Sequence, residues 1–188
     1  MFLQSFAERL IIMNRFVCLF LTVLLAVAIA GCGAIPVSLY AQEKPALDLK
    51  QYFSGHVIAH GIVQDRSGKV IRRMVVDMKG TWVGDVGTLD ENFTYSDGKT
   101  EKRIWTIRKN GDRYIGTAAD VVGEAQGEAS GNALNWKYVL ALPVDGSVYN
   151  VDFDDWMWQL DDKVMMNRAT FSKFGIRFGE VLITFYKQ

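Results

Sequence analysis

The sequence predicts an all-β fold, a single antiparallel up-and-down β-barrel preceded by a short N-terminal helix. Two observations carry this reading. From Gly55 onward, runs of about 7–11 residues are separated by turn signals at near-regular spacing. Within those runs apolar and polar residues alternate with the period of a strand. The turn signals are Asp65-Arg66-Ser67-Gly68, Asp97-Gly98, Asn110-Gly111-Asp112, Gly131-Asn132, Asp145-Gly146, Asp161-Asp162 and Phe174-Gly175. Asn110-Gly111 and Asp145-Gly146 are dipeptides that accept the positive φ of tight hairpins. The spacing gives a meander of roughly eight to ten strands, and closure into a barrel hides the edges of so long a meander.

Composition agrees with one folded domain. The chain has 188 residues, 49% of them apolar and 12% aromatic, with no formal net charge. That is enough to bury a full core. Lys and Arg are scattered, with no basic block longer than Arg72-Arg73. Nucleic-acid surfaces depend on clustered cations, so none is expected here.

Taken in order, the chain starts with an apolar run. Met13-Asn14-Arg15 reads as a truer start than Met1, a short cationic region followed by apolar residues from Phe16 to Ala30. The run is short for a bilayer span and suits an export signal. It closes on Ile29-Ala30-Gly31-Cys32, which reads as a lipobox. Residues 1–31 are then a lipoprotein signal peptide, and Cys32 is the lipidation site. Gly33 after the cysteine favours the outer membrane, inner leaflet, with the protein facing the periplasm. The expected partner is the membrane, reached through N-terminal acyl chains, each contributing about 0.8 kcal/mol per buried CH₂. Cys18 leaves with the signal, so residues 33–188 contain no cysteine. The domain must fold without disulfides, and a cysteine nucleophile or thiolate metal site is excluded.

Residues 32–46 read as a tether with weak periodicity, and 47–188 as the barrel. Asp48 is placed to cap a helix from Leu49 to Phe53, ended by Ser54-Gly55. In 133–142 Leu134, Trp136, Tyr138, Leu140 and Leu142 share one face. In 121–129 Val121, Gly123, Ala125, Gly127 and Ala129 form a small inner wall, with Glu124, Gln126 and Glu128 towards water. Such a wall leaves volume, which either large side chains or a ligand must occupy. Arg103, Trp105 and Ile107 share a face, as do Met74, Val76 and Met78, either as core or as soft pocket lining.

Several segments together resemble a known family. They are Asp120-Val121-Val122-Gly123, Gly127, Gly131-Asn132-Ala133, Tyr138, Asp154-Asp155-Trp156-Met157, Asn167-Arg168-Ala169 and Lys173-Phe174-Gly175. In this order they resemble an uncharacterised family of bacterial lipoproteins, domain-of-unknown-function family 3833, from about Leu47 to Lys187. The resemblance implies a periplasm-facing lipoprotein with a lipocalin-like barrel. It supplies no catalytic residue. Genes of the family often neighbour genes for modifying membrane fatty acids, which implies a lipid-linked role. Gly80-Thr81-Trp82 mimics a lipocalin signature but lies well inside the chain, and is read as chance.

The densest polar and aromatic cluster is Asp152-Phe153-Asp154-Asp155-Trp156-Met157-Trp158. On a strand, Tyr149, Val151, Phe153, Asp155 and Met157 point one way, and Asp152, Asp154, Trp156 and Trp158 the other. If the first face is the interior, Asp155 is a buried carboxylate in need of a partner. Arg168 and Asn167 are the nearest candidates by sequence, and Arg103 is a more distant one. Asp155 is then part of a structural ion pair or polar cluster with Asn167 and Arg168, an anchor for a ligand head group, or an acid–base group. Trp156 and Trp158 on the outer face suit a membrane interface, a lid over the barrel end, or a contact with a short helix.

Metal and cofactor chemistry find no support. His56 and His60, four residues apart on a strand, place their rings about 13 Å apart, too far to share an ion. No phosphate-binding glycine loop and no nucleophile elbow is present. The reading is a lipid-anchored periplasmic protein binding a small hydrophobic molecule or lipid, without cofactor. The expected lining is Trp105, Trp136, Tyr138 and Phe153, with Asp155 and Arg168 as polar contacts. Two alternatives stay open: a filled barrel acting through its surface, and an enzyme on a lipid or related small molecule.

Overall fold

Ten antiparallel strands follow one another in chain order and close on themselves in the computed structural model, which describes residues 35–144 and 146–188. The lipobox with Cys32, the expected signal and Met13 lie outside the described residues. The strands are β1 (Gly55–Asp65), β2 (Val70–Val83), β3 (Val86–Tyr95), β4 (Thr100–Asn110), β5 (Arg113–Thr117), β6 (Ala125–Ser130), β7 (Ala133–Val144), β8 (Ser147–Gln159), β9 (Val164–Lys173) and β10 (Ile176–Lys187). Each pairs with its sequence neighbours, and β10 returns to β1 from Val57↔Lys187 to Asp65↔Gly179. Closure leaves no edge to template pairing with another chain. Register shifts at Val63/Gln64 in β1 and Arg177/Gly179 in β10 add the local coiling that a closed sheet needs.

All seven expected turns join consecutive strands. An eighth, Gly84-Asp85 between β2 and β3, stands in a run that reads as continuous from Val70 to Tyr95. One strand differs in extent. β6 begins at Ala125, and 118–124 form a loop that touches the sheet through a bridge from Val121 to Leu140. Gly123 has a positive φ of 74°, which takes it out of strand geometry.

One end of the barrel is plugged by α1 (Leu49–Tyr52), capped by Asp48, whose carboxylate accepts from the Lys50 N–H at 2.9 Å. The carboxylate also pairs with Lys109 at 2.7 Å. Leu49, Tyr52 and Phe53 are buried, each full burial stabilising by about 1.5–3 kcal/mol. The Tyr52 hydroxyl lies 2.9 and 3.1 Å from the Lys163 and Phe185 carbonyls. Phe53 meets Phe185 edge-on, and its carbonyl lies so close to Gly80 that a Cβ there would sit 1.6 Å away.

Part of the expected tether lies against the barrel. The 3₁₀ turn Val37–Tyr40 packs on β6 and β7. Tyr40 stands 5.9 and 6.4 Å from the rings of Trp156 and Trp158, which stack on each other at 5.8 Å. The two outward indoles therefore receive a short helical turn, and the Leu47 N–H donates to the Gly131 carbonyl just beyond it.

Candidate functional site

The inward residues of the strands do not fill the barrel. They enclose a cavity of about 1010 Å³. Leu49 of α1 and Phe53 just after it form its floor. Its other end reaches Arg72, Lys99, Leu142, Pro143 and Val148, at the opposite turns, so the mouth is there. Alternation explains the lining: Met74, Val76 and Met78 of β2 and Leu89 and Phe93 of β3 are buried and face inward.

Near the floor the small wall is occupied. Trp136 lies over Gly127, its partner in the β6–β7 register, where a Cβ would be 2.0 Å from the indole. Gly116 gives Trp136 and Trp105 similar room, and the two indoles are 6.1 Å apart. Glycine on β5 and β6 thus makes space for tryptophan, and the remaining volume lies beside this packed layer. Tyr138 and Phe153 stack at 5.2 Å, and Phe171 continues the layer 5.7 Å from Phe153.

A polar belt interrupts the apolar wall. Asp155 of β8 is buried; its carboxylate accepts from the Tyr138 hydroxyl at 3.0 Å and from the Asn167 amide. Asn167 also donates to the Trp156 carbonyl at 3.1 Å, which fixes its plane. Burial pushes the Asp155 carboxyl up to about 7, against the opposing pull of its two neutral donors. Tyr138 is held well above its ordinary value, by burial first and the Asp155 charge second, so it stays a phenol. Glu91 of β3, only 9% exposed, stands opposite Arg103 of β4 in the register. Burial raises its carboxyl to about 7 although Arg103 opposes the shift. The Arg103 guanidinium is gripped by Asp120 from the 118–124 loop, at 2.9 Å from Nε and 2.7 Å from Nη2. Burial alone would lower Arg103, but Glu91 and Asp120 outweigh it and hold the cation above its ordinary value.

Trp105, Trp136, Tyr138, Phe153 and Asp155 are brought together on this one wall. Arg168 is not among them. It is on the outer face of β9, where its Nε reaches Glu180 at 2.8 Å. Asn167, Ala169 and Phe171 are the inward residues of that strand, so parity turns Arg168 away from Asp155. Asp155 is satisfied by two neutral donors rather than by a cation. Glu91 and Asp120 belong to the belt but were not anticipated. The alternation Leu89, Glu91, Phe93, Tyr95 places Glu91 inward, whereas nothing local marks a loop aspartate as the partner of Arg103. The histidines lie elsewhere: His56 is 3.3 Å from Asp77, and His60 is edge-on to Tyr186.

Against known proteins, the family described as "Protein of unknown function (DUF3833)" matches over residues 26–187. No curated protein matches the chain. A solved structure of a protein of unknown function from the DUF3598 family of Nostoc punctiforme superposes with a TM-score of 0.54 at 13% identity. It covers 83% of this chain, which spans 53% of that one, and the likeness is one of fold. A second solved structure, EF1p2_mFAP2b bound to DFHBI, superposes with a TM-score of 0.42 at 10% identity, covering 81% of this chain and all of that one.

Proposed function

The chain belongs to the DUF3833 family, and we propose that its barrel is a receptacle for one small, largely apolar molecule, held at a membrane surface by acyl chains on Cys32. One observation carries the reading: a lined hollow of about 1010 Å³ runs from a plugged floor to a mouth at the opposite turns. Single-ligand pockets commonly occupy about 300–1,000 Å³. A folded barrel does not need such a void, since empty space forfeits dispersion contacts. The wall is mostly aliphatic and aromatic, with few polar groups in fixed positions, the usual balance of a pocket that takes an apolar body and orients a polar end.

The surface reading gains nothing from Trp156 and Trp158, because Tyr40 covers part of both rings. Native mass spectrometry of protein released gently from its own membrane, followed by organic extraction, tests the receptacle. A bound mass that extraction recovers as an apolar compound supports it; ligand-free protein that takes up no apolar compound afterwards counts against it. Labelling with a clickable palmitate analogue tests the anchor: wild type carries the tag, and Cys32→Ser loses it. An untagged wild type removes the membrane address.

A further inference from the structure

We infer that the polar belt selects a ligand whose buried end is a hydrogen-bond donor or a cation, such as an alkyl ammonium, over one ending in a carboxylate or phosphate. The inference rests on the receptacle reading and names the chemistry of its occupant. Seven ionisable groups other than tyrosine line the cavity: Arg72, Lys99 and Glu101 at the mouth, and Glu91, Arg103, Asp120 and Asp155 in the belt further in. Three of the four belt groups are carboxyls. The belt's one cation, Arg103, is already engaged, its Nε and Nη2 on Asp120 and its Nη2 also 3.6 Å from Glu101.

Two carboxyls remain for a ligand, and they differ. Asp155 accepts from Tyr138 and Asn167, both neutral, which leaves it lone pairs and no compensating positive charge. Glu91 is the more telling. It is nine-tenths buried and on the cavity wall, and among the described residues its carboxylate makes no ion pair within 4.0 Å; the Trp105 indole is its one hydrogen-bonding side chain. The Trp105 indole and Arg103 are its nearest sources of positive potential, while Asp120 and Asp155 add negative potential. A buried carboxylate held by one neutral donor keeps unused lone pairs and an uncompensated charge, which is costly unless something supplies more. An ammonium supplies three donors and a charge of the right sign; a hydroxyl supplies one donor. A carboxylate supplies neither and would share a low-dielectric space with two other carboxyls.

The test is a competition for the cavity at pH 8 among decylamine, decanol and decanoate, each below its aggregation concentration, displacing an apolar fluorescent probe. Decylamine is expected to bind about tenfold tighter than decanoate, with decanol between them. In Glu91→Gln and Asp155→Asn, both near-isosteric and checked for an unchanged circular dichroism spectrum, the amine's advantage over decanol shrinks. Equal or tighter binding of decanoate overturns the inference and leaves the receptacle standing, as does an amine preference that survives both substitutions. Failure of all three compounds to displace the probe overturns the receptacle itself.

Discussion

Protonation of the buried belt should set how stability varies near neutral pH, and Asp155 is the place to test it. Its carboxyl is moved from 3.8 to about 7, because burial penalises the charged form more than Tyr138 and Asn167 stabilise it. A shift of that size corresponds to roughly 4 kcal/mol between the two protonation states. The sign follows from the direction. A carboxyl raised on folding contributes stability that is present in full below its unfolded value, and that is lost as pH rises through its folded value. Glu91, raised from 4.5 to about 7, acts in the same sense. The two charges feel each other, so their effects will not add simply. Melting temperature should therefore fall between about pH 5 and pH 8, by roughly 10 °C for a domain of this size. Asp155→Asn keeps the shape and removes the charge. It should flatten more than half of the decline and match or exceed wild type at pH 8.5. Thermal unfolding followed by tryptophan emission across that pH range is the assay. A wild-type profile flat from pH 5 to pH 8, or a variant with the full wild-type slope, would refute the reasoning.

Three further outcomes are expected. Gly127→Ala forces a methyl to within 2.0 Å of the Trp136 ring, which has no free end to swing aside; chemical denaturation should show a loss of about 1–3 kcal/mol together with a shifted emission maximum. Tyr52→Phe strips the hydroxyl lying between the Lys163 and Phe185 carbonyls, and the same measurement should read a loss of about 1–2 kcal/mol with no change in emission. Tyr40→Ala removes the ring packed on Trp156 and Trp158, a contact of about 0.5–1.5 kcal/mol; limited proteolysis should then cut within 36–46 sooner, while the barrel resists as before.

Much of this architecture was legible from the residues alone, because period-two alternation and turn chemistry are local. A strand with Leu134, Trp136 and Tyr138 on one side has one sensible orientation in a barrel. Asp48 before Leu49 announces a cap for the same reason. What stayed hidden depends on partners distant in sequence. The loop 118–124 carries Asp120 to Arg103 across the top of β4, and no local pattern encodes that approach. The same holds for Tyr40, whose seat on β8 lays part of the expected tether against the outer face of the barrel. Arg168 differs for another reason. Proximity in sequence suggests it as a partner of Asp155, whereas strand parity turns it outward, where it pairs with Glu180. The balance of filled and empty space was also out of reach. The small face of Ala125, Gly127 and Ala129 is the seat of an indole rather than the hollow itself, a distinction that only the three-dimensional packing makes.

A receptacle must accept a guest in that hollow. Titration of an environment-sensitive apolar dye into wild type and into Ala169→Phe addresses it directly, since Ala169 is a small inward residue facing Asp155 across the β8–β9 register. Wild type should saturate at one dye per chain with a change in tryptophan emission, and the filled variant, equally folded, should bind at least about tenfold more weakly. Equal affinity in the two proteins would place the dye on the outer surface and contradict the claim.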